Sequence, residues 1–387
     1  MRPRDDYLLL SPSCFLKELE SLCLYNVATD ELYELDERAY EFLRQCDGSR
    51  RLGELEADED FLSYCFSEGL LVLSSTPQQR AMPRGKAPQP SLRYLELQIT
   101  GRCNLRCRHC YQGIGSQAHL SLAPMLSLLE EFHHLQGLRL LVSGGEPMMH
   151  PDFWRLNEAL PRFAFRSILL TNGTLIGEDN APRLRFHEVQ VSLDGWEVSH
   201  DALRGRGTFK KATQAIEALR RAGIEVSVAT MVHAANRGDF PRLEAFLKDR
   251  GVRAWQVDVP VLAGRLAENL PLALPYQEAA SYMKYGYGGG LYSSAPGFAC
   301  GSHLCAVLPE GGVAKCGFFA HEPVGGVEEG LGVCWGRLLP TRLEELECSC
   351  PYVEECCGGC RYRALLYRSL KAPDPVQCYA RGLEPPD

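Results

Sequence analysis

The chain has 387 residues, 45% of them hydrophobic, so it can bury a sizeable core distributed over two or three domains. Its formal net charge of -8, with no strong basic patch, disfavours a nucleic-acid partner. The opening apolar run in MRPRDDYLLL is too short for a signal peptide, and no run of about 18 apolar residues predicts a membrane span. We therefore expect a cytoplasmic protein with neither nucleic-acid nor membrane partners.

The unusual feature of the composition is its seventeen cysteines. They fall in tight groups, with three at 103–110, three at 300–316 and six at 348–378. In a large chain without an export signal, such grouping favours metal ligation over disulfide bonds.

The first 73 residues are predicted to form a small separate unit of strands and helices. The strand-like runs are Tyr7–Leu10, Leu22–Asn26, 31–35 and 69–73, and the helix-like segments are 37–46 and 61–68. Residues 74–91 are rich in Pro, Ser, Gln and Gly, so they are predicted to be a linker.

From residue 94 onward, predicted strands alternate with helices. The strand candidates are 95–100, 138–143, 167–171, 188–193, 225–232 and 254–259, and helices between them include 123–134 and 209–222. This alternation predicts a parallel α/β sheet, either an open barrel or a doubly wound layer. The chemistry of such sheets lies at the carboxyl ends of the strands, where the polar motifs described below fall. After residue 266 the periodicity fades.

Directly after the first of these strands, Cys103, Cys107 and Cys110 form a CxxxCxxC loop. Three thiolates can hold three corners of a cubane iron–sulfur cluster and leave the fourth iron open. An open metal position is typical of a catalytic centre rather than a structural one. A structural zinc knuckle with His109 as the fourth ligand is the alternative.

With Tyr111 after it, this loop resembles the signature of the radical S-adenosylmethionine (radical SAM) superfamily. The resemblance implies a [4Fe–4S] cluster on the three cysteines, whose open iron chelates S-adenosylmethionine. One electron then cleaves the cofactor and yields a 5′-deoxyadenosyl radical that abstracts a hydrogen from the substrate. Tyr111 would lie near the adenine, and a plain core aromatic is the alternative. No side chain is assigned as a general base.

A Gly-Gly-Glu-Pro segment, Gly144 to Pro147, closes the second predicted strand and resembles the family's GGEP motif. The resemblance implies that Gly144, Gly145, Glu146 and Pro147 bind the cofactor at its methionine amino group. Glycines allow the backbone to approach a ligand closely, and a carboxylate can accept hydrogen bonds from an ammonium group.

Further polar residues end the third and fourth predicted strands: Thr171 and Asn172, then Ser192 and Asp194. Arg204 follows in the segment HDALRGRGTF. Together they resemble the barrel of radical SAM peptide-modifying enzymes, which implies that Ser192 and Arg204 hold the cofactor carboxylate and that the others lie around the cofactor. A surface ion pair for Arg204 and a turn cap for Asp194 are the alternatives.

The C-terminal cysteines resemble the SPASM extension of radical SAM enzymes, which holds two auxiliary [4Fe–4S] clusters. The family's interleaved pattern assigns the nearer cluster to Cys300, Cys305, Cys316 and Cys360, and the farther cluster to Cys348, Cys350, Cys356 and Cys378. Four thiolates would close each cluster and make it an electron carrier, whereas a pair of zinc ribbons is the alternative.

Two departures from the SPASM pattern matter. One residue separates Cys348 from Cys350 where the family has two, and Cys357 competes with Cys356 as a ligand. Gly317 stands where the sulfatase-maturating enzymes have an aspartate, which disfavours that activity. The six cysteines outside the clusters are predicted to be buried free thiols: Cys14, Cys23, Cys46, Cys65, Cys334 and Cys357.

Residues 1–73 resemble a RiPP recognition element, a small winged-helix-like α+β domain that binds the leader of a ribosomally synthesised precursor peptide. The mode of binding would be strand addition at a sheet edge. A structural cap on the barrel is the alternative.

The predicted fold is thus a partial (β/α)6 radical SAM barrel at 92–266, with the recognition element and linker before it and a SPASM extension at 267–387. The predicted function is oxidative cross-linking of a precursor peptide through a thioether, carbon–carbon or carbon–oxygen bond. A flavodoxin or ferredoxin is expected as reductant. The alternatives are maturation of a partner oxidoreductase or its cofactor, and a non-catalytic zinc scaffold that binds peptides.

Overall fold

The computed structural model describes residues 5–81, 85–113, 115–289 and 297–386. Part of the predicted linker (82–84) and part of the predicted SPASM extension (290–296) lie outside the described residues. The chain forms two compact units. The first unit comprises Met1–Arg93, Leu129–Arg139 and Arg162–Arg166, and the second comprises Tyr94–Leu128, Leu140–Pro161 and Ser167–Asp387.

Six strands and two helices build the first unit. They are β1 (Tyr7–Leu10), β2 (Cys14–Glu18), β3 (Leu22–Asn26), β4 (Glu31–Glu34), α1 (Glu37–Arg44), β5 (Asp47–Arg51), α2 (Glu59–Ser67) and β6 (Leu71–Ser74). The strands form two three-stranded sheets, in the orders β5-β1-β6 and β2-β3-β4. The predicted strands and helices are confirmed, whereas β2 and β5 were not predicted because their sequences, CFLKE and DGSRR, mix charged and apolar residues.

Both helices of this unit begin at an aspartate whose carboxylate caps the first turn. Asp36 accepts a hydrogen bond from the amide of Ala39, and Asp58 accepts one from the amide of Phe61. The apolar faces of the helices and strands share a core that contains Cys14, Cys46 and Cys65. With Cys23, which is also buried, the four predicted buried thiols of this unit are confirmed.

A buried lysine is the main polar group inside the first unit. The side chain of Lys17 is 2% exposed, and its Nζ donates to the carbonyl oxygens of Gly137 and Ala164, each at 2.8 Å. Burial lowers the pKa of Lys17 to about 7, because the charged ammonium loses its hydration.

The second unit is organised by an open sheet of nine strands in the order β12-β11-β10-β9-β8-β7-β13-β14-β15. The strands are β7 (Tyr94–Thr100), β8 (Arg139–Gly144), β9 (Arg166–Thr171), β10 (Glu188–Ser192), β11 (Glu225–Met231), β12 (Ala254–Asp258), β13 (Leu304–Val307), β14 (Gly312–Ala314) and β15 (Gly325–Gly326). The six predicted strands, β7 to β12, lie in chain order without a reversal. A doubly wound sheet would reverse its order at a switch point, so the open-barrel alternative is the one found.

Helices alternate with these strands as predicted. They are α3 (Leu122–His134), α4 (Phe153–Ala159), α5 (Glu197–Arg204), α6 (Thr208–Arg221) and α7 (Phe240–Asp249). Short helices follow in the C-terminal region: α8 (Tyr276–Ala280), α9 (Leu331–Arg337), α10 (Val353–Cys356), α11 (Arg361–Tyr367) and α12 (Pro375–Ala380). No helix among the described residues is long and apolar enough to cross a membrane.

The C-terminal region also extends the sheet, which the sequence did not predict. Strand β13 pairs in parallel with β7, and β14 and β15 continue from it in antiparallel pairs. These strands have two to four residues, too few to show an alternating pattern.

We predict that Lys17→Met removes a pH dependence of stability. The folded pKa of about 7 lies below the ordinary value of 10.5, so between them the unfolded state binds more protons. Stability contributed at this position therefore rises with pH in that window. The thermal midpoint of the full chain should rise more between about pH 7 and about pH 9 in wild type than in the variant.

The control is Lys248→Met, because the Lys248 side chain is 57% exposed and should leave the slope unchanged. Parallel pH profiles of wild type and Lys17→Met would contradict the prediction.

Candidate functional site

The loop after β8 is pressed against the start of the cysteine loop after β7. Gly144 has a φ of +137°, and a Cβ there would lie 2.3 Å from the carbonyl oxygen of Thr100. The amide of Gly145 donates to the Thr100 carbonyl at 2.8 Å, and that of Glu146 donates to the Arg102 carbonyl at 2.8 Å. Only glycine fits this approach, so the two loops form one rim.

The three thiols of the cysteine loop lie together at this rim. Cys107 and Cys110 are half-buried. The charges of Cys107 and Cys110 affect the pKa of Cys103, and the charge of Cys110 affects the pKa of Cys107. Asn172 Nδ2 lies 3.9 Å from Cys103 Sγ, and Arg204 Nη1 lies 4.0 Å from Cys107 Sγ. Burial raises the pKa of the Cys103 thiol to about 11, and it raises that of Cys107 against the opposing guanidinium of Arg204.

Glu146 is held by protein donors from the end of β9 and from its own turn. It is fully buried, and its carboxylate accepts from Thr171 Oγ1 at 2.9 Å, the Asn172 amide at 2.9 Å and the Met148 amide at 3.3 Å. Burial raises the pKa of Glu146. Pro147 is buried in the turn that follows. The carboxylate thus joins the turn after β8 to the end of β9, and its contact with the cofactor stays a prediction.

A buried ion pair lies beside the cysteine loop. Arg204 Nε donates to Asp194 Oδ2, and the two side chains are 11% and 0% exposed, so the surface-pair alternative for Arg204 is wrong. Asp194 Oδ1 accepts from the Met231 amide at 2.7 Å, so the carboxylate spans to β11 instead of capping its own turn. Although burial raises the pKa of Asp194, Arg204 and His109 hold it well below its usual range.

Three histidines surround this pair, and the sequence analysis named only one of them, His109, as the alternative zinc ligand. His200 Nδ1 accepts from the Asp194 amide at 3.0 Å, and His233 Nε2 is 2.9 Å from the Asp194 carbonyl oxygen. His109 Nε2 is 3.6 Å from Asp194 Oδ2. Burial lowers the pKa of His109 and of His200 to about 4, so both rings are neutral at neutral pH. Among the described residues, His109 Nδ1 and His200 Nε2 have no hydrogen-bond partner.

The inner face of β7 adds two polar residues that the sequence also missed. Gln98 Nε2 donates to Glu96 Oε1 at 2.9 Å and to Tyr111 Oη at 3.3 Å, and Ser143 Oγ donates to Glu96 Oε1 at 2.9 Å. The Tyr111 ring packs on Phe318 with 4.8 Å between centroids. Tyr111 is half-buried and packed on one side, and its adenine contact stays a prediction. Alternation of polar and apolar residues within β7 was the available signal.

Ser192 lies half-buried at the end of β10, at the same rim as Thr171 and Asn172. All the predicted cofactor contacts are thus brought to the carboxyl ends of neighbouring strands. Their roles toward the cofactor stay predictions.

Only part of the predicted nearer cluster site is brought together. The thiols of Cys300 and Cys360 are close enough to Cys316 to affect its pKa, and Cys300 affects the pKa of Cys360 in the same way. Cys305 is fully buried on β13, and its sulfur neighbour is Cys334 instead. Cys334 is fully buried, as predicted.

All four cysteines predicted for the farther cluster lie together: Cys348, Cys350, Cys356 and Cys378. The short gap after Cys348 does not remove it from the group. Cys357 is half-buried, with Sγ 3.4 Å from the Glu354 carbonyl oxygen, so the prediction that it is buried is wrong. In the described part of the chain, no three His, Cys, Asp or Glu side chains lie close enough together to bind a single metal ion. The ligands of a multi-iron cluster lie farther apart than those of a single ion, because the cluster itself is larger.

The residues around the first cysteine loop fit an iron–sulfur cluster with an organic ligand. They offer three thiols, a glycine-lined approach at Gly144 and Gly145, and an unpaired buried nitrogen on His109.

Comparisons with known proteins agree with this geometry. Residues 97–247 match the family model of the radical SAM superfamily. An AdoMet-dependent heme synthase of Oleidesulfovibrio alaskensis is 27% identical over 278 residues, which is 67% of this chain and 72% of that protein. The mycofactocin maturase MftC of Mycobacterium ulcerans is 29% identical over 324 residues, 74% of this chain and 88% of that protein.

The fold is similar to that of Streptococcus suis SuiB bound to the precursor peptide SuiA. The TM-score is 0.68 and the identity 14%, over 94% of this chain and 98% of SuiB. Residues 97–247 therefore match a radical SAM domain, and the chain is an enzyme, which argues against the zinc-scaffold alternative. This domain implies S-adenosylmethionine and a [4Fe–4S] cluster as cofactors.

We predict that Asp194→Asn destabilises the folded chain by about 3–5 kcal/mol, because it leaves the guanidinium of Arg204 buried without its carboxylate. The free energy of unfolding from a urea titration of the full chain measures the loss.

The matched control is Glu178→Gln, which breaks an ion pair with Arg221 whose side chains are 75% and 68% exposed. The control should change the free energy of unfolding little, since exposed pairs contribute little. Equal effects of the two substitutions would show that Asp194 does not stabilise the rim.

Proposed function

We propose that this enzyme oxidatively cross-links a ribosomally synthesised precursor peptide, through a cysteine thioether or a carbon–carbon or carbon–oxygen bond. One observation carries the proposal: the three thiols of the CxxxCxxC loop share a rim with the Gly-Gly-Glu loop and the buried Asp194–Arg204 pair. The similarity to a peptide maturase over 74% of the chain favours a peptide as the substrate.

Cys103, Cys107 and Cys110 would hold the [4Fe–4S] cluster that the radical SAM domain implies. When bound, this cluster and S-adenosylmethionine would supply a 5′-deoxyadenosyl radical that takes a hydrogen atom from a substrate carbon. Asp194 fixes the guanidinium of Arg204 next to Cys107. The remaining N–H groups of that guanidinium are suited to an anionic group such as the cofactor carboxylate.

Forming a cross-link removes two hydrogens from the peptide, so the surplus electron needs an acceptor close to the site. The C-terminal cysteine groups would hold auxiliary clusters that accept it. A short path connects the two regions: Tyr111 follows Cys110 and packs on Phe318, which lies two residues after Cys316. A flavodoxin or ferredoxin would supply the electron that starts the reaction.

The first unit would bind the leader of the precursor peptide, and its sheet edges differ in accessibility. The edge at β5 is covered by residues 78–80 of the same chain. The amide of Gln78 donates to the Gly48 carbonyl at 3.1 Å, and that of Arg80 donates to the Asp47 carbonyl at 2.8 Å. Strand β4, in contrast, is at the end of its sheet, and β3 is its partner in the described ranges. We therefore assign leader addition to β4.

The side chains of β4 define the peptide it would take. Glu31 and Glu34 are exposed, while Leu32 and Tyr33 are half-buried between them. Tyr64 of α2, in the same unit, is 49% exposed. An added strand would meet apolar surface flanked by negative charge, so the leader should carry apolar residues with basic neighbours.

A second candidate function is maturation of a partner oxidoreductase or its cofactor. The similarity to a heme synthase over 67% of the chain favours it. Incubation of the reduced enzyme with S-adenosylmethionine and short peptides encoded beside its gene distinguishes the two. A peptide two hydrogens lighter supports cross-linking, whereas 5′-deoxyadenosine formed only with a tetrapyrrole or a folded partner supports the second candidate.

We predict about 12 irons per chain after anaerobic reconstitution, if three four-iron clusters are present. Serine at Cys103, Cys107 and Cys110 together should remove about four irons and abolish release of 5′-deoxyadenosine. Iron assay and chromatography of the nucleoside measure both.

The control is Cys357→Ala, a half-buried thiol outside the assigned clusters, which should change neither quantity. Nucleoside release that survives the triple substitution would remove the radical SAM assignment of the loop.

For the leader, we predict that Glu31→Lys with Glu34→Lys weakens binding of the fluorescently labelled precursor peptide about tenfold, because like charges would face the added strand. Peptide-independent cofactor cleavage should stay at the wild-type rate, since both residues lie in the first unit.

The matched control reverses two exposed charges of the second unit, Glu158→Lys with Glu197→Lys. If the anisotropy titration of the Glu31→Lys, Glu34→Lys variant were unchanged and the peptide were still modified, the leader would have to bind to a surface other than β4.

A further inference from the structure

We propose that Glu96 is the general base of the cross-linking reaction, and that its Oε2 takes the proton which the peptide loses when the new bond forms. The inference rests on the proposed function, which assigns this proton to no residue. Glu96 belongs to β7, the strand that leads into the cysteine loop.

One oxygen of Glu96 is anchored at the rim. Glu96 Oε1 accepts from Ser143 Oγ at 2.9 Å, and Ser143 directly precedes the Gly-Gly-Glu loop. The same oxygen accepts from Gln98 Nε2 at 2.9 Å, and Gln98 also donates to Tyr111, the residue after Cys110. The carboxylate is therefore held next to the loops that would bind the cluster and the cofactor.

The sheet brings the chain around Cys316 to the same face as Glu96. Glu96 pairs in register with Ala306, and Ala306 pairs with Ala314, so the three residues share one face. Cys316 follows Ala314 by two residues in extended conformation, with φ −163° and ψ 174°. Cys316 thus lies on the face of Glu96 as well.

Gly317 allows a close approach between this chain segment and the carboxylate. A Cβ on Gly317 would lie 2.6 Å from Gln98 Nε2, 2.9 Å from Tyr111 Oη and 3.2 Å from Glu96 Oε2. A side chain at this position would collide with the first two atoms, so glycine lets Oε2 lie beside the backbone that follows Cys316. Glu96 therefore lies between the two cysteine regions of the second unit.

Glu96 Oε2 is an unused acceptor, unlike the oxygens of three other carboxylates beside the cysteine groups. Both oxygens of Glu146, Asp194 and Asp374 accept hydrogen bonds from protein donors. Within the described ranges, no side chain or amide donates to Glu96 Oε2, and no cation pairs with this carboxylate. Because Glu96 is only half-buried, a substrate group can reach the unused oxygen.

The two donors to Glu96 suit it to accept a proton. Ser143 and Gln98 are neutral, so they orient the carboxylate without adding a positive charge that would compete with the proton. An ionised carboxylate with one oxygen fixed and one available can act as a general base, whereas an amide in its place cannot.

A base is required because the two hydrogens of a cross-link leave in different forms. One leaves as an atom to the 5′-deoxyadenosyl radical, and the other leaves as a proton and an electron. For a cysteine thioether, a carbon–hydrogen bond and a sulfur–hydrogen bond break and one carbon–sulfur bond forms. The sulfur proton goes to Glu96, and the surplus electron goes to the auxiliary iron–sulfur clusters of the proposed function.

The test uses the full reconstituted chain with dithionite, S-adenosylmethionine and the precursor peptide encoded beside its gene. Glu96→Gln keeps the shape of the side chain but takes no proton. Formation of the peptide two hydrogens lighter should fall about 100-fold, as expected for loss of a general base. Release of 5′-deoxyadenosine should fall less, so the nucleoside released per cross-link should rise about tenfold or more.

Glu96→Gln should leave other properties of the enzyme unchanged. The iron content should stay at about 12 per chain. The affinity for the fluorescently labelled peptide and the rate of peptide-independent cofactor cleavage should stay at the wild-type values. A merely structural role of Glu96 would change these quantities together with the cross-linking rate.

A second variant tests the base by chemical rescue. Glu96→Ala removes the carboxylate and leaves space, so sodium formate should accelerate its cross-linking about tenfold relative to sodium chloride at equal ionic strength. Formate should not accelerate the wild-type enzyme, which has its own carboxylate.

The matched control is Glu188→Gln. Glu188 is half-buried at the amino end of β10 and accepts from Ser227 Oγ of the neighbouring strand, much as Glu96 accepts from Ser143. The control should change neither the cross-linking rate nor the nucleoside released per cross-link.

Cross-linking by Glu96→Gln within about threefold of the wild-type rate would overturn the assignment. So would a loss of about four irons, which would make Glu96 a cluster ligand. A Glu96→Ala protein that formate does not accelerate would overturn it too. A wild-type enzyme that releases 5′-deoxyadenosine and cross-links no peptide would instead overturn the proposed function, and this inference with it.

Discussion

Side chains alternate between the two faces of the nine-stranded sheet, and this constraint decides which groups lie on the face of Tyr111. Glu96 and Gln98 lie there because Leu95 and Leu97, which alternate with them along β7, face the other way. The same rule, carried through β13 and β14, separates Cys305 from Cys316, although only ten residues lie between them. Each ladder pair transmits the choice of face to the next strand, so one register fixes the face on which side chains far along the chain lie.

Burial gives the rim its electrostatic character. Asp194 keeps its charge without solvent because Arg204 and the Met231 amide compensate it, while His109 and His200 remain neutral. Removing water strengthens each of these interactions, since fewer solvent dipoles oppose them. The result is a rim with one fixed cation beside Cys107, which suits both sulfur ligands and an anionic organic group.

Much of this arrangement could be anticipated from local sequence. The six strands, the helices between them and the motifs at the ends of the first four strands were predicted, because apolar periodicity and glycine placement act over a few residues. The short strands β2, β5 and β13 were missed, since they gain their order from pairing rather than from their own side chains. The contacts of Glu146 with Thr171 and Asn172 were missed for a similar reason, because the partners come from another strand.

By itself, the sequence determined the chemistry on offer: three thiols in one loop, glycines where the backbone must pass closely, and an arginine in the helical segment after the fourth predicted strand. These are properties of short stretches of chain, and they do not depend on where each stretch lies in the folded protein. Only the tertiary structure decided the grouping of the remaining cysteines and the covered edge of β5. Spacing along the chain does not fix the face of a strand, and composition does not reveal that residues 78–80 cover that edge.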